Sequence, residues 1–166
     1  MATTMTQTVT ETQPLATMVV TEPTPIMLIG LTARFGNFVS RKLKPEYEVI
    51  HFVSDITLAK RELALVMSGA SPTIPDTTGV STGNFSRLPR HIIFGKGFQW
   101  PVLQEVRESA GNEESGVCWY WAPQKEGDLL IKPGEIGSFS DEAIERMSEK
   151  VVGNMKRVLG GGGGGY

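Results

Sequence analysis

Pro25-Ile-Met-Leu-Ile-Gly30, followed directly by Leu31-Thr-Ala-Arg-Phe-Gly36, decides the fold of this 166-residue chain. Ile26 to Ile29 carry no polar side chain on either parity, the pattern of a strand buried on both faces. Gly30 closes the run. Phe35, Val39 and Leu43 then recur at helical spacing. Tyr47-Glu-Val-Ile-His-Phe-Val53 is a second strand. Two buried strands joined by an amphipathic helix form a parallel pair with a crossover.

The same alternation continues outward. Asp55 caps a second helix whose apolar face is Ile56, Ala59, Leu63 and Val66. His91-Ile-Ile-Phe94 is a third strand, followed by Gly95-Lys96-Gly97 and a helix to about Ser109. Val117-Cys-Trp-Tyr-Trp121 is a fourth. Ser140 caps a last helix, with Asp141 and Glu142 complementing its positive end. That helix reads Ile144, Met147, Val151, Met155 and Val158 along one stripe and stops at Gly160. Strands alternating with helices define an α/β protein. The expected architecture is a small Rossmann-like three-layer sandwich with a mainly parallel four-stranded sheet. Two strand orders satisfy the pattern, 2-1-3-4 and 3-2-1-4.

Both ends differ from this body. Residues 1–25 hold nine threonines, three prolines and no basic residue, a composition that cannot offset its own ordering entropy and reads as a disordered tail. Residues 26–159 form the domain. Residues 160–166 are six glycines and Tyr166, read as a flexible tail, with a return of Tyr166 to a pocket or partner as the sharper alternative. The start has neither the basic residue and apolar core of a secretory signal nor the arginines of a mitochondrial one, so a cytoplasmic location is expected. A net charge of −2 announces no nucleic-acid partner. No apolar run approaches a membrane span. Cys118 is the lone cysteine and His51 and His91 the two histidines, too few for a cysteine-based zinc site or a histidine-rich one.

The candidate chemistry lies at the glycine loops. Gly30-Leu-Thr-Ala-Arg-Phe-Gly36 stands where a dinucleotide-binding fold turns its chain and aims a helix N-terminus at a pyrophosphate. Gly30 and Gly36 occupy the outer places of a G-x-x-G-x-x-G spacing, and Ala33 stands at the middle one, where its methyl narrows the approach of a phosphate. In the G-x-x-x-G-x-G alignment the middle place is Arg34. The stretch from Ile26 to Asp55 resembles the first βαβ unit of atypical short-chain reductases and their NAD(P)-binding relatives. That resemblance implies a cofactor cradle at Gly30, Thr32, Ala33, Arg34 and Gly36. Asp55, 19 residues beyond Gly36, lies where a carboxylate accepts from a ribose 2′-hydroxyl. No arginine follows the second strand to hold a 2′-phosphate, so NAD fits better than NADP. The reductases also carry a Tyr-x-x-x-Lys pair, and neither Tyr47, Tyr120 nor Tyr166 has a lysine four residues on. The whole chain resembles the small Rossmann-like proteins that fungi encode, sometimes beside secondary-metabolite genes.

Gly95, Lys96 and Gly97 repeat the strand–turn–helix arrangement. In the order 2-1-3-4 this turn and the Gly30 loop flank the topological switch point, and Lys96 then faces an anionic ligand. In the order 3-2-1-4 the two loops separate. Trp100 stands at the start of the helix that follows. Trp119 and Trp121 share one face of the fourth strand and Tyr120 the other, offering core packing, an aromatic wall for a flat ligand, or an interface for a homodimer.

Several other signals are decoys by their context. Gly79-Val-Ser-Thr-Gly83 matches a nucleophile-elbow pattern, but both flanks read as loop rather than strand and helix. The loop containing it, from Gly69 to about Pro89, is long enough to suggest a lid over the crevice. Cys118 reads as a small buried residue, His51 as a satisfied sheet residue, and Glu142, Glu145 and Glu149 as a solvated helix face. No residue is designated catalytic. Two functions stay open: a small-molecule-binding protein, with NAD as the candidate ligand and, if it is an enzyme, a redox or tailoring role in secondary metabolism, and a degenerate cofactor-free module acting as binding protein, scaffold or isomerase.

Overall fold

A computed structural model of the chain describes residues 21–95, 97–111, 116–121 and 135–161. Strands β1 (Thr24–Ile29), β2 (Tyr47–Val53), β3 (His91–Phe94) and β4 (Cys118–Trp121) form one sheet in the order β2-β1-β3-β4. Every neighbouring pair is parallel. Helices α1 (Ala33–Leu43), α2 (Ile56–Met67), α3 (Trp100–Ser109) and α4 (Asp141–Gly160) complete three layers, and a short 3-10 turn at Glu135–Ser138 precedes α4. The first strand begins at Thr24, two residues earlier than the apolar run suggests, because the Thr24 amide donates to the Glu46 carbonyl.

The order follows from right-handed crossovers. The connection from β1 to β2 moves one way and places α1 on one face. The connection from β2 to β3 passes β1 in the other direction, so α2 and then α3 fall on the opposite face. One core cluster accordingly joins Met27, Ile29, Ile50 and Val53 to Ala59, Leu63 and Val66 of α2 and to Leu103 and Val106 of α3. The second joins Ile26, Leu28, Val49 and Phe52 to Val39 and Leu43 of α1 and Val152 of α4. Trp119 belongs to the first cluster and Tyr120 packs against the second, as the alternation of β4 requires.

Strand β2 breaks its own alternation. Ile26 pairs with Val49, but Met27 pairs with His51, which leaves Ile50 as an extra residue in a bulge. The bulge turns His51 to the α2/α3 face together with Ile50. It also turns Phe52 to the α1/α4 face.

The helix ends obey the sequence. Asp55 Oδ1 accepts from the Leu58 amide at 2.8 Å, and the Ser140 hydroxyl accepts from the Ala143 amide. The apolar stripe of α4 faces the core at Ile144, Val151 and Met155 as expected, and its most buried line runs slightly to one side of it. Ile144, Ser148 and Val152 are the buried residues, whereas Val158 is exposed. Polar Ser148 is tolerated there because its hydroxyl donates back to the Glu145 carbonyl. Glu145 and Glu149 lie on the exposed side as expected, where both pair with Lys42.

The long loop is a strap and not a lid. Its Thr82 and Gly83 amides donate to the carbonyls of Val49 and Ile50 along the free edge of β2. Val80 is buried on the α1 side and its carbonyl accepts from Ser40 Oγ, while Phe85 packs on the α2 side. An uncovered edge strand exposes unpaired backbone groups, and this segment covers one.

Gly36 makes that wrap feasible. A Cβ there would lie 3.1 Å from Phe52 Cε2 and 3.3 Å from both Val80 methyls. Gly36→Val is therefore expected to destabilise the fold by about 1–3 kcal/mol through overpacking. Urea denaturation of the single variant and of Gly36→Val/Phe52→Leu checks this: the double variant loses less than the sum of the single losses.

Candidate functional site

The order β2-β1-β3-β4 brings the two glycine turns together at the carboxyl ends of β1 and β3. The Gly95 amide donates to the Ile29 carbonyl at 2.8 Å, and the Gly30 amide to Val53. A Cβ on Gly95 would lie 3.7 Å from the Gly30 Cα, so the backbones of the turns are nearly in contact. This is the switch point of the sheet, the usual ligand crevice of such folds.

Thr32 is the N-cap of α1, yet its side chain makes no capping bond. Its Oγ1 is buried and has no hydrogen-bond partner among the described residues. The first turn of α1 contains no acidic residue. The leading amides of a helix and its dipole favour an anion, and neither is neutralised by a side chain here. A buried hydroxyl without a partner forfeits hydrogen-bonding free energy, and a ligand oxygen would restore it.

The remaining predicted residues take other positions. Arg34 points away from the crevice. It donates to the Ile136 and Phe139 carbonyls at 2.9 and 3.0 Å and pairs with Asp141 at 2.6 Å, tying α1 to the start of α4. Ala33 packs partly buried against the α1/α4 core. Asp55 is exposed at the end of β2 and is engaged as the α2 cap. Gly30 and Gly36 both make room for one ring: a Cβ on either would lie 3.2 or 3.1 Å from Phe52 Cε2. Gly97 has φ +109° and sits beneath Leu31, whose Cδ1 would be 2.5 Å from an added Cβ. Leu31 thus bridges the two turns. Lys96 and Tyr166 lie outside the described residues.

Beside the Gly95 turn stands an aromatic pair that sequence reading presented only as separate signals. Trp100, at the start of α3, packs against Trp121 with ring centroids 5.4 Å apart. Trp121 Nε1 donates to the Phe98 carbonyl at 2.8 Å, which fixes the inner ring, and Trp100 is 36% exposed. Spacing could not reveal the pair, because it joins a helix start to the end of a strand across the loop.

His51 differs from expectation. His51 is buried, with its Nε2 unpartnered among the described residues, so it is not a satisfied sheet residue. Its ring meets Phe85 edge-on at 5.7 Å. Burial pushes its pKa down, against the opposing pull of the Glu62 and Asp76 carboxylates. His91 lies at the opposite end of the sheet between Tyr47 and Tyr120, its Nδ1 also unpartnered, and burial with Arg90 nearby lowers its pKa. Cys118 beside it is exposed, not buried, because it opens β4 at the sheet's rim. Burial, followed by Cys118, raises the Tyr120 pKa. Ser81 is no elbow nucleophile: its hydroxyl and amide both donate to Asp76 inside the strap. Among the described residues no group of acidic, histidine and cysteine side chains is arranged to hold a metal, and no helix is long and apolar enough to cross a membrane.

Fold and site together define a small Rossmann-like α/β sandwich with the N-terminus of α1 at its switch point. No protein-family model matches the chain, and no solved structure matches it. It is similar to the "Kojic acid related protein 6" of Aspergillus oryzae, at 34% identity over 97 residues. That stretch covers 57% of this chain and 56% of the relative, so the chain matches about half the length of that protein.

The buried His51 and the partly buried His91 give the protein a pH dependence. In the unfolded chain each histidine takes up its proton near pH ~6.5, and in the folded protein only at lower pH. The unfolded state therefore binds more protons below that value, and stability falls as the pH drops through about 6.5. Urea midpoints are expected to decrease between about pH 7.5 and about pH 5.5, and His91→Gln to flatten part of that slope.

Proposed function

We propose that this chain is a Rossmann-like small-molecule-binding protein of fungal secondary metabolism, with its ligand seated at the carboxyl ends of β1 and β3. The observation that carries the proposal is Thr32: an N-cap that caps nothing, with a buried hydroxyl unpartnered among the described residues, at the switch point. An anionic group placed there would accept from the Thr32 hydroxyl and the leading amides of α1. NAD is the ligand nominated by the glycine spacing and by Asp55 at the end of β2, whose exposed carboxylate would face a ribose hydroxyl. The printed name of the Aspergillus oryzae relative supports the metabolic setting.

A second reading, the cofactor-free module, is favoured by three observations. Phe52 accounts for Gly30 and Gly36 by packing alone, Leu31 covers Gly97 between the turns, and Arg34 is committed to α4. In that reading the ligand is smaller than a dinucleotide, and the crevice serves binding, scaffolding or isomerisation.

Calorimetry and thermal shift against NAD, NADP, FMN and S-adenosylmethionine separate the two. NAD is expected to raise the melting temperature by mass action. Thr32→Val is expected to weaken that binding without loss of stability, because the hydroxyl it removes has no partner in the free protein. Asp55→Asn, which preserves a capping side chain, is expected to weaken NAD by roughly 1–3 kcal/mol. Absence of dinucleotide binding at millimolar concentration, about −4 kcal/mol, rejects the cofactor and leaves the module.

A further inference from the structure

The strap along β2 is shaped by carboxylates and runs beside a buried histidine. His51 is 3% exposed, and its Nε2 has no partner among the described residues. It sits at the bulge, immediately after Val49 and Ile50, whose carbonyls accept the Thr82 and Gly83 amides of the strap. The strap's Phe85 covers its ring edge-on.

Two carboxylates, Glu62 and Asp76, act on this imidazole through their charge. From α2 come Glu62, fully buried, and its neighbour Arg61, which pairs with it at 3.1 Å. From the strap comes Asp76. The pairing strand β1 presents uncharged Met27. Both carboxylates are already occupied. Glu62 accepts from the Thr73 amide at 2.7 Å, from the Thr73 hydroxyl and from Arg61 Nε. Asp76 accepts from the Thr78 amide at 2.8 Å, the Ser81 amide at 3.0 Å and both of their hydroxyls. These bonds give the segment its shape and pin it to α2.

We propose that residues 71–86 form a proton-released strap: protonation of His51 detaches them and bares the free edge of β2. A neutral imidazole tolerates this dry position. An imidazolium acquires a second N–H donor and a charge, and neither can stay buried without a partner. The nearby acceptors are Glu62 and Asp76. A carboxylate that turns to take the new donor strains the bonds that shape or pin the strap, and Phe85 packs over the ring where water would otherwise serve. Proton binding and strap docking therefore compete for the same oxygens. The direction agrees with the histidine's chemistry: burial disfavours its charged form, and release of the strap removes that burial. Loss of docking also frees the Val49 and Ile50 carbonyls, so the edge becomes available for pairing with another strand. The remaining holds, Asn37 to the Thr78 carbonyl, Ser40 to the Val80 carbonyl and Glu48 to Thr82 and Asn84, do not involve His51 and set how far the segment departs.

Amide hydrogen exchange on the intact chain tests the proposal at about pH 7.5 and about pH 5, corrected for the intrinsic pH dependence of exchange. Protection at Thr82 and Gly83 is expected to fall about tenfold or more on acidification, while the β1 and β3 amides remain protected. His51→Gln, neutral at both values, is expected to lose this pH response, and His91→Gln to keep it. Because His51→Gln removes a buried ring, a second measurement uses the unaltered protein: the His51 ring resonances and the Thr82 amide must titrate with one midpoint. Unchanged protection in the wild type, an equal fall in His51→Gln, abolition of the response by His91→Gln, or two distinct midpoints would each overturn the strap. Parallel loss of β1 and β3 protection would overturn it too, as global unfolding. None of these outcomes depends on the ligand proposed at the switch point.

Discussion

One extra residue in β2 organises much of this molecule. Ile50 has no register partner on β1, so the side-chain alternation of β2 reverses beyond it. Without that bulge, Phe52 would face α2 and His51 would face α1. With it, the Phe52 ring lies under the start of α1, and the positions above that ring, Gly30 and Gly36, have no room for ordinary side chains. Val80 closes over the same spot from the strap. On the other face His51 is driven into a dry site between α2 and the strap. The glycine loop, the strap and the buried histidine thus share one geometric origin.

The two ends of the sheet then differ in character. At the amino ends His91, Tyr47, Tyr120 and Cys118 gather on the α1/α4 side, and Tyr120 is held protonated by burial and by its neighbour Cys118. At the carboxyl ends backbone groups prevail: two glycine turns in near contact, an uncapped helix start and an aromatic pair beside them. The polar groups that this second end presents are main-chain amides. Among the described residues, the charged side chains near it are already engaged, Arg34 by the junction before α4 and Asp55 by α2. Such an arrangement favours a ligand that brings its own charge.

Arg34 illustrates how a motif position changes its role. Its place in the first turn of α1 puts a cation where the helix dipole disfavours one. The side chain escapes by reaching two carbonyls before α4 and Asp141 at the start of that helix, whose positive end is eased by the same carboxylate. One guanidinium thereby couples the loop that begins α1 to the helix that covers the same face.

The sequence alone determined the elements and their class. Unbroken apolar runs at Ile26–Ile29 and His91–Phe94 specify buried parallel strands, helical spacing specifies α1 and α2, and Asp55 and Ser140 mark their helices by cap chemistry that acts within three residues. These are local signals, and local physics suffices to read them. Strand order was not legible, since both candidate orders satisfy the same periodicities; the handedness of each crossover and the partition of two cores settled it. Nor could spacing show that Gly36 answers to Phe52 and Val80, that Trp100 finds Trp121, or that the long loop covers an edge instead of a crevice. The bulge at Ile50 is invisible for a related reason: Tyr47 to Val53 is apolar enough on both faces for either register to look satisfactory. Only the pairing with β1 decides which way Phe52 and His51 turn, because a parallel strand buried on both sides takes its register from its neighbours and not from its own pattern.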